Sequence, residues 1–298
     1  MKRLLSAVTA ATVTLTTLTA CSGAKMLEAF APSDSVIVER DVVFDREHDL
    51  ALDVYRPRGA DDAPLVVFFW GGSWQTGDRS TYGFLGRTLA SRGLVVMIPD
   101  YRTYPAVRYP AFLHDSARAV AWAREHARDY GADPSRLSLL GHSAGAYNAA
   151  MLVADGRYLE AAGGSRRWIS AWAGLAGPYD FLPLKDAALK RIFEPAEPLS
   201  SSQPINWVDR EVPPTLLVVS ADDPVVDPRN TERMAARLKA LGRPVELLRV
   251  DNLRHAWLVV SLLDVFPFDD QVRSTVTQFL LHAPSTAPSS DAERLVRD

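Results

Sequence analysis

Continuous apolar runs that alternate with helical segments restrict the fold of this 298-residue chain most strongly. Residues 64–70 (PLVVFFW) and 94–100 (LVVMIPD) are apolar without alternation, which is typical of strands buried on both faces of a parallel sheet. We predict further strands at residues 136–141, 168–177, 215–221 and 244–250, and helices at residues 80–93, 109–131, 143–154, 229–242 and 268–282. This order predicts an α/β fold with a mostly parallel, twisted sheet and helices on both faces.

Two other parts of the chain depart from this alternation. Residues 36–44 and 50–55 are short strand-like runs separated by DREHD, which predicts an antiparallel hairpin. Residues 177–214 contain many prolines and no sustained period, so we predict a small cap that forms a pocket wall. The domain is expected to span residues 36–282, followed by a disordered Pro/Ser-rich tail at 283–298.

The first 20 residues have a basic start and a run of small and apolar residues, which is typical of a signal peptide. Leu18 and Ala20 precede Cys21, the single cysteine, in a pattern that resembles a bacterial lipobox. The resemblance implies lipidation of Cys21, a linker at residues 21–35 and a membrane-anchored lipoprotein of the cell envelope, on the periplasmic side or in the outer membrane. The alternative is an ordinary secretory signal with an incidental cysteine.

The charge balance excludes one class of partner. The net charge is −3 and the pI is about 6.1, and Lys and Arg are scattered along the chain. Nucleic-acid binding is therefore not expected, since it requires a clustered basic surface. The sequence does not indicate an oligomeric state.

Residues 141–145 (GHSAG) fit the G-x-S-x-G pattern, with Ser143 at its centre. A predicted strand precedes the pattern and a predicted helix follows it, as in a nucleophile elbow. A serine hydroxyl at this position lies at a helix N-terminus, which favours developing negative charge. We therefore predict Ser143 as a nucleophile; the alternative is a tight turn that needs a small residue.

A serine nucleophile needs a base, and in this motif the order along the chain is serine, acid, histidine. His255 and His282 are the histidines that follow Ser143. His255 comes directly after the last predicted strand, where a loop at the sheet edge carries the base, whereas His282 lies near the end of the closing helix. His255 is therefore the predicted base, and His142 is interpreted as a packing residue.

The acid is expected in the loop after the strand at residues 215–220. Asp223 lies one short loop beyond the strand and is the predicted acid, with Asp222 as the alternative. Asp227 precedes Pro228 and is interpreted as a helix cap.

Backbone N–H groups must stabilise the oxyanion that forms during acyl transfer. One donor is expected at Ala144, directly after the nucleophile, and others in the loop after the strand at residues 64–70. That loop begins with Gly71 and Gly72, which let the backbone approach a substrate closely. The alternative for this Gly-Gly pair is a simple turn.

Several stretches together resemble the α/β-hydrolase carboxylesterases, in the branch near the hormone-sensitive-lipase-like and feruloyl-esterase-like bacterial esterases. They are residues 68–79 (FFWGGSWQTGDR), 99–122, 141–146 (GHSAGA), 220–227 (SADDPVVD) and 254–257 (RHAW). The resemblance covers about residues 36–282 and implies an α/β-hydrolase fold.

The chain departs from the family's His-Gly-Gly-Gly pattern at two positions. Trp70 replaces the histidine and Ser73 replaces the third glycine. Since Gly71 and Gly72 are kept, we expect the oxyanion hole to be retained. Residues 100–102 (DYR) also match and are interpreted as structural bracing.

The resemblance implies a serine ester hydrolase that needs no metal or cofactor. Ser143 would form an acyl-enzyme, His255 would transfer the proton, Asp223 would orient His255, and water would deacylate. The expected substrates are small-molecule esters with short or medium acyl groups or aryl groups. Four aromatic residues, at core positions or in a substrate pocket, are the pocket candidates: Trp74, Tyr147, Trp207 and Trp257.

Two other functions remain open at this point. The same fold and triad serve amidases, such as an arylformamidase, and peptidases, which differ only in substrate. A non-catalytic binding lipoprotein is the third reading, and the complete set of predicted catalytic residues argues against it.

Overall fold

The computed structural model describes residues 27–264 and 270–287. The signal segment and Cys21 lie outside these ranges and remain predictions. Within these ranges, eight strands form one sheet: β1 (Val36–Asp45), β2 (Leu50–Pro57), β3 (Ala63–Phe69), β4 (Val95–Pro99), β5 (Ala132–His142), β6 (Ile169–Leu175), β7 (Thr215–Ser220) and β8 (Val245–Val250). The helices are α1 (Gly83–Ala90), α2 (Ala111–Glu125), α3 (Ala144–Ala154), α4 (Arg157–Ala161), α5 (Ala187–Phe193), α6 (Arg229–Ala240), α7 (Trp257–Val260) and α8 (Gln271–Leu281).

The strand order across the sheet is β1-β2-β4-β3-β5-β6-β7-β8. The pairs β1–β2 and β2–β4 are antiparallel, and all other neighbours are parallel. The predicted hairpin and mostly parallel sheet are therefore confirmed. Parallel pairing brings the carboxyl ends of β3, β5 and β7 to one edge, where ligands bind in open α/β sheets.

Burial along the central strands explains why their sequences are continuously apolar. Every residue of β3, β4, β6 and β7 is buried, which requires cover on both faces of the sheet. Helix α3 is buried along its whole length and packs against β5 and β6. No helix within residues 27–264 and 270–287 is long and apolar enough to cross a bilayer.

The structure differs from the predicted boundaries at both ends of the domain. Residues 27–35, predicted as linker, pack against it: Ala31 is buried, and Glu28 pairs with Arg40 at 2.5 Å. The prediction of a disordered tail is wrong for residues 283–287, because the Thr286 N–H donates to the Ser135 carbonyl at 2.8 Å. Polar Pro/Ser-rich composition did not reveal this backbone contact.

Candidate active site

Ser143 occupies the turn between β5 and α3 in a backbone conformation that L residues rarely adopt, with φ 56° and ψ −122°. Close packing of the turn requires the two flanking glycines. A Cβ on Gly141 would lie 2.4 Å from the Gly145 carbonyl oxygen, and a Cβ on Gly145 would lie 2.0 Å from that of Phe69. The turn is thus pressed against the end of β3. The Ser143 side chain makes no capping hydrogen bond to α3 within the described chain.

His255 and Asp223 meet beyond the ends of β8 and β7. His255 Nδ1 lies 2.7 Å from Asp223 Oδ2, and the Asp223 side chain is 0% exposed. Asp223 Oδ1 accepts hydrogen bonds from the N–H groups of Val225 at 2.8 Å and Val226 at 3.0 Å. The loop therefore fixes the carboxylate, which orients the imidazole and leaves Nε2 for proton transfer.

The Asp223 carboxylate is ionised despite its burial. Burial alone would raise the pKa of Asp223, but hydrogen bonds from His255, Val225 and Val226 outweigh it and place that pKa below its ordinary value. The neighbouring carboxylates are placed differently: Asp222 is exposed, and Asp227 pairs with Arg229 at the start of α6. The structure thus pairs His255 with the acid that the sequence predicted.

His142 contributes a contact that sequence reasoning missed. Its Nε2 lies 3.1 Å from the backbone carbonyl oxygen of His255, and the two imidazole rings are 4.8 Å apart. Since a carbonyl only accepts, Nε2 carries the hydrogen. Burial, and then the proximity of His255, lower the pKa of His142 to about 3, so His142 is neutral. In the sequence, this contact was indicated only by a histidine, which can form hydrogen bonds, directly before the predicted nucleophile.

This hydrogen bond connects the Ser143 turn with the loop that carries His255. His142 directly precedes Ser143, and the Ser143 N–H donates to the Leu175 carbonyl at 2.9 Å. The nucleophile candidate and the base candidate are therefore positioned by adjacent residues of one rigid turn.

The loop after β3 approaches Ser143 closely at Gly71. A Cβ on Gly71 would lie 2.9 Å from Ser143 Cβ, so a larger residue would displace the serine. Burial raises the pKa of Tyr82 to about 12, and an interaction with the Gly71 N–H partly opposes that rise. The Gly71 backbone thus lies directly beside Ser143. Its role as an oxyanion donor stays a prediction.

The next residues of this loop turn sharply toward the cavity. Gly72 has φ +146°, and a Cβ there would lie 1.8 Å from the Thr76 carbonyl oxygen. Ser73 and Trp74 both have positive φ, 55° and 57°, and line a cavity together with Ser143 and Ala144. Ala144 is the first residue of α3, so its N–H has no partner within the helix. The structure thus brings the predicted Ala144 to the same cavity as Ser143 and Ser73, whereas Gly72 is placed in the sharp turn that precedes Ser73.

Trp70, which stands where the family pattern has histidine, braces this loop. Its indole stacks on Tyr101 with ring centroids 4.0 Å apart and donates to the Pro99 carbonyl at 2.9 Å. The Tyr101 hydroxyl donates to the Trp70 carbonyl at 2.7 Å. Asp100 accepts from the Arg79 N–H at 3.1 Å. The interpretation of the DYR stretch as structural bracing is confirmed.

A cavity of about 500 Å³ opens beside Ser143. Trp74 lines it, but the other three predicted pocket aromatics do not. Tyr147 packs edge-on against Trp74, with ring centroids 5.0 Å apart, and donates to the Ser202 carbonyl at 2.7 Å, and the Arg157 guanidinium lies over the Trp207 ring. Trp257 lies on α7 and is 43% exposed. The predicted aromatic pocket is corrected accordingly, and its other lining residues include Phe181, Leu182, Leu184, Leu189, Val225 and Val226.

In residues 27–264 and 270–287, no three or more His, Cys, Asp or Glu side chains are grouped so that they could hold a metal ion.

The strand order, the strained serine between a strand and a helix, and the buried Asp–His pair define the α/β-hydrolase fold with a nucleophile elbow. The BD-FAE family model matches residues 52–238, which is more than half of the chain. The chain belongs to the BD-FAE family.

Proteins with a similar sequence include esterases. The chain is 28% identical over 250 residues to a probable isoprenylcysteine α-carbonyl methylesterase of Arabidopsis thaliana, covering 76% of this chain and 52% of that protein. It thus spans about half the length of this plant relative. It is 30% identical to the esterase LipI of Mycobacterium tuberculosis, covering 70% of this chain and 74% of LipI.

Solved structures share the fold. Esterase B from Lactobacillus rhamnosis, inhibited by a tributyrin phosphonate, superposes with a TM-score of 0.76 at 20% identity, covering 95% of this chain and 97% of that one. An esterase from Pyrobaculum calidifontis gives a TM-score of 0.70 at 23% identity, covering 87% and 88%.

Proposed function

We propose that this protein is a serine carboxylic-ester hydrolase that acts on small-molecule esters with short or medium acyl groups or aryl groups. The buried Asp223–His255 pair, joined through His142 to the strained Ser143 turn, is the observation that carries this proposal. The relatives named as esterases support an ester rather than an amide as the substrate.

In the proposed reaction, Ser143 Oγ attacks the ester carbonyl carbon while His255 Nε2 takes the hydroxyl proton. Asp223 stabilises the resulting imidazolium and keeps its orientation. The backbone N–H groups of Gly71, Gly72 and Ala144 stabilise the oxyanion of the tetrahedral intermediate. Collapse of the intermediate expels the alcohol, which receives the proton from His255. Water then repeats the sequence on the acyl-enzyme and releases the acid.

The cavity supports a modest substrate size. Its volume of about 500 Å³ lies in the range of small-molecule sites. Trp74, Phe181 and Val226 offer apolar surface beside Ser143, which suits an acyl or aryl group. The methylesterase name of the plant relative agrees with a small alcohol group on the other side of the carbonyl.

A fluorophosphonate probe and p-nitrophenyl butyrate test this proposal together. The probe is expected to label the wild type at Ser143, and Ser143→Ala is expected to lose both labelling and hydrolysis. His255→Ala is expected to lose nearly as much activity, because triad members act as a unit. Absence of labelling in folded protein would favour a binding role, and cleavage of p-nitroanilides in preference to esters would favour an amidase.

A further inference from the structure

A second concave surface is lined by side chains from residues 182–199. It has a volume of about 760 Å³. Its apolar lining comes from Leu182, Pro183, Leu184, Ala196 and Leu199. We call this surface the cap groove.

The cap groove adjoins the Ser143 cavity. Leu182, Pro183 and Leu184 line both the groove and the cavity, so this short segment is the wall between them. A ligand that extends from Ser143 past this segment therefore enters the groove directly.

The lining of the Ser143 cavity is mixed, and its apolar part continues into the groove. Charged side chains line the cavity at Asp180, Lys185, Asp186, Asp227, Arg229 and Arg233. Phe181 and the segment 182–184 provide apolar lining, and residues 182–184 also line the groove. A hydrocarbon chain gains free energy by leaving water where it meets apolar surface, and it would desolvate the charged groups elsewhere. The segment 182–184 therefore offers a continuous apolar surface from the cavity to the groove.

The lining of the groove suits a hydrocarbon. Leu199 is 37% exposed there, although leucine gains free energy when it is covered. Leu184 and Ala196 are nearly buried and form the floor. Lys190 and Arg191 also line the groove, where their aliphatic stems add apolar surface while the charged ends reach water. Glu194 lines it too, but its carboxylate pairs with Arg108 at 2.8 Å and is 68% exposed, so it lies at the rim.

We propose that the cap groove binds the hydrocarbon chain of an ester substrate whose carbonyl group lies at Ser143. This inference rests on the proposed ester hydrolysis and adds a substrate class to it, namely esters with a chain too long for the Ser143 cavity. The groove is a binding subsite, and its residues take no part in bond making.

A comparison of chain lengths tests the groove. Leu199→Glu places a carboxylate on its apolar surface, and Leu247→Glu on β8 is the matched control, since Leu247 is 42% exposed and does not line the groove. The substrates are p-nitrophenyl butyrate and p-nitrophenyl dodecanoate, with dodecyl acetate to test a chain on the alcohol side. For a twelve-carbon chain, Leu199→Glu is expected to lower kcat/KM by about fivefold or more, mainly through KM.

The two dodecyl substrates show whether the groove binds the acyl chain or the alcohol chain of the ester. A loss with p-nitrophenyl dodecanoate places the acyl chain in the groove, and a loss with dodecyl acetate places the alcohol chain there. Butyrate hydrolysis is expected to stay at the wild-type rate in both variants, which also shows that they are folded. Equal effects of Leu199→Glu on butyrate and dodecyl substrates, no effect on any, or a wild type inactive on both dodecyl substrates would overturn the groove proposal. A wild type that fails on butyrate as well contradicts the proposed function itself.

Discussion

At the scale of single residues, two buried histidines 4.8 Å apart differ because their partners differ. His255 faces the Asp223 carboxylate, which stabilises a positive charge on its ring. His142 faces a backbone carbonyl and remains neutral, so it adds no repulsion when His255 takes a proton. The hydrogen-bond partners therefore suit His255 to proton transfer and His142 to positioning.

Replacing Asp223 by Asn tests the acid assignment. The amide cannot stabilise the His255 imidazolium, so kcat for p-nitrophenyl butyrate is expected to fall by about 10³-fold or more. Asp222→Asn is the matched control, since Asp222 is exposed, and it should retain the wild-type rate. A larger loss in Asp222→Asn than in Asp223→Asn would reverse the assignment.

Replacing His142 tests its positioning role. His142→Gln keeps an N–H donor near the His255 carbonyl and is expected to retain most activity. His142→Leu removes the donor, and kcat is expected to fall by about tenfold with KM little changed, because a small displacement of the base weakens proton transfer. Equal activity of the Gln and Leu variants would show that the hydrogen bond has no positioning role.

Burial of neutral His142 also predicts a pH dependence of stability. Its pKa is about 3 in the folded chain against 6.5 as the ordinary value. The unfolded chain therefore binds more protons between these values, and the stability present above pH 6.5 is lost progressively as pH falls. His142→Gln is expected to reduce the loss in unfolding free energy between pH 7 and pH 5 by about 2 kcal/mol.

Urea unfolding at the two pH values measures this loss. His126→Gln serves as the control, because the His126 side chain is 37% exposed. The explanation fails if His142→Gln has the same pH dependence as the wild type.

At the scale of elements, the end of β5 and the start of α3 are packed against β3 so tightly that side chains are excluded. This contact presents Ser143 at the sheet edge, and α3 is buried along its whole length beneath it. The strained turn is maintained by the packing of both elements. Stability of the domain and geometry of the serine are therefore coupled.

Gly145→Ala tests this coupling. Its Cβ would lie 2.0 Å from the Phe69 carbonyl oxygen, so the unfolding free energy is expected to fall by about 3 kcal/mol, with loss of activity. Gly156→Ala is the control, because the nearest atom to its Cβ would be the Glu160 carboxylate at 3.2 Å, on a flexible side chain. Denaturant unfolding should show a change below about 0.5 kcal/mol for that variant; a wild-type-like Gly145→Ala would contradict the packing argument.

At the scale of the whole molecule, Arg79 connects the amino-terminal hairpin with the parallel part of the sheet. It pairs with Asp41 after the first half of β1, with Asp53 on β2, and with Asp100 after β4. The Asp53 side chain is only 2% exposed. Arg79 directly follows the loop that lines the Ser143 cavity. Through Arg79, the hairpin therefore supports the candidate site from a distance.

Arg79→Met is expected to lower the unfolding free energy by about 3 kcal/mol, because it removes a charge partner from the buried Asp53 carboxylate. Arg128→Met is the control: Arg128 lies 3.8 Å from Asp62, and both side chains are more than 70% exposed. Its expected effect is below about 1 kcal/mol. Similar losses in the two variants by thermal or urea unfolding would show that burial of the Arg79 cluster is unimportant.

Much of the fold was predictable because the information is local. Continuous apolar runs identified the central strands, and the Gly-x-Ser-x-Gly stretch identified the turn at Ser143, since both patterns reflect neighbouring residues. Chain order and loop position also indicated His255 and Asp223. Helix and strand ends shifted by several residues, as at β5, which extends to Ala132 because it pairs there with Ala63.

The contacts that distinguish this site could not be predicted from the sequence in the same way. His142 and His255 are 113 residues apart, and Tyr101 and Trp70 are 31 apart, so their hydrogen bonds exist only after the sheet has formed. Tyr147, Trp207 and Trp257 fall outside the cavity for the same reason, because burial of an aromatic ring does not reveal which surface it faces.

Local periodicity and chain order were enough to predict the fold class, the turn at Ser143, and Asp223 and His255 as candidate partners of the serine. The hydrogen bond between His142 and the loop of His255, and the apolar surface that adjoins the cavity, became visible only in the folded chain. Those features depend on distances between residues that are remote along the chain, and packing alone sets such distances.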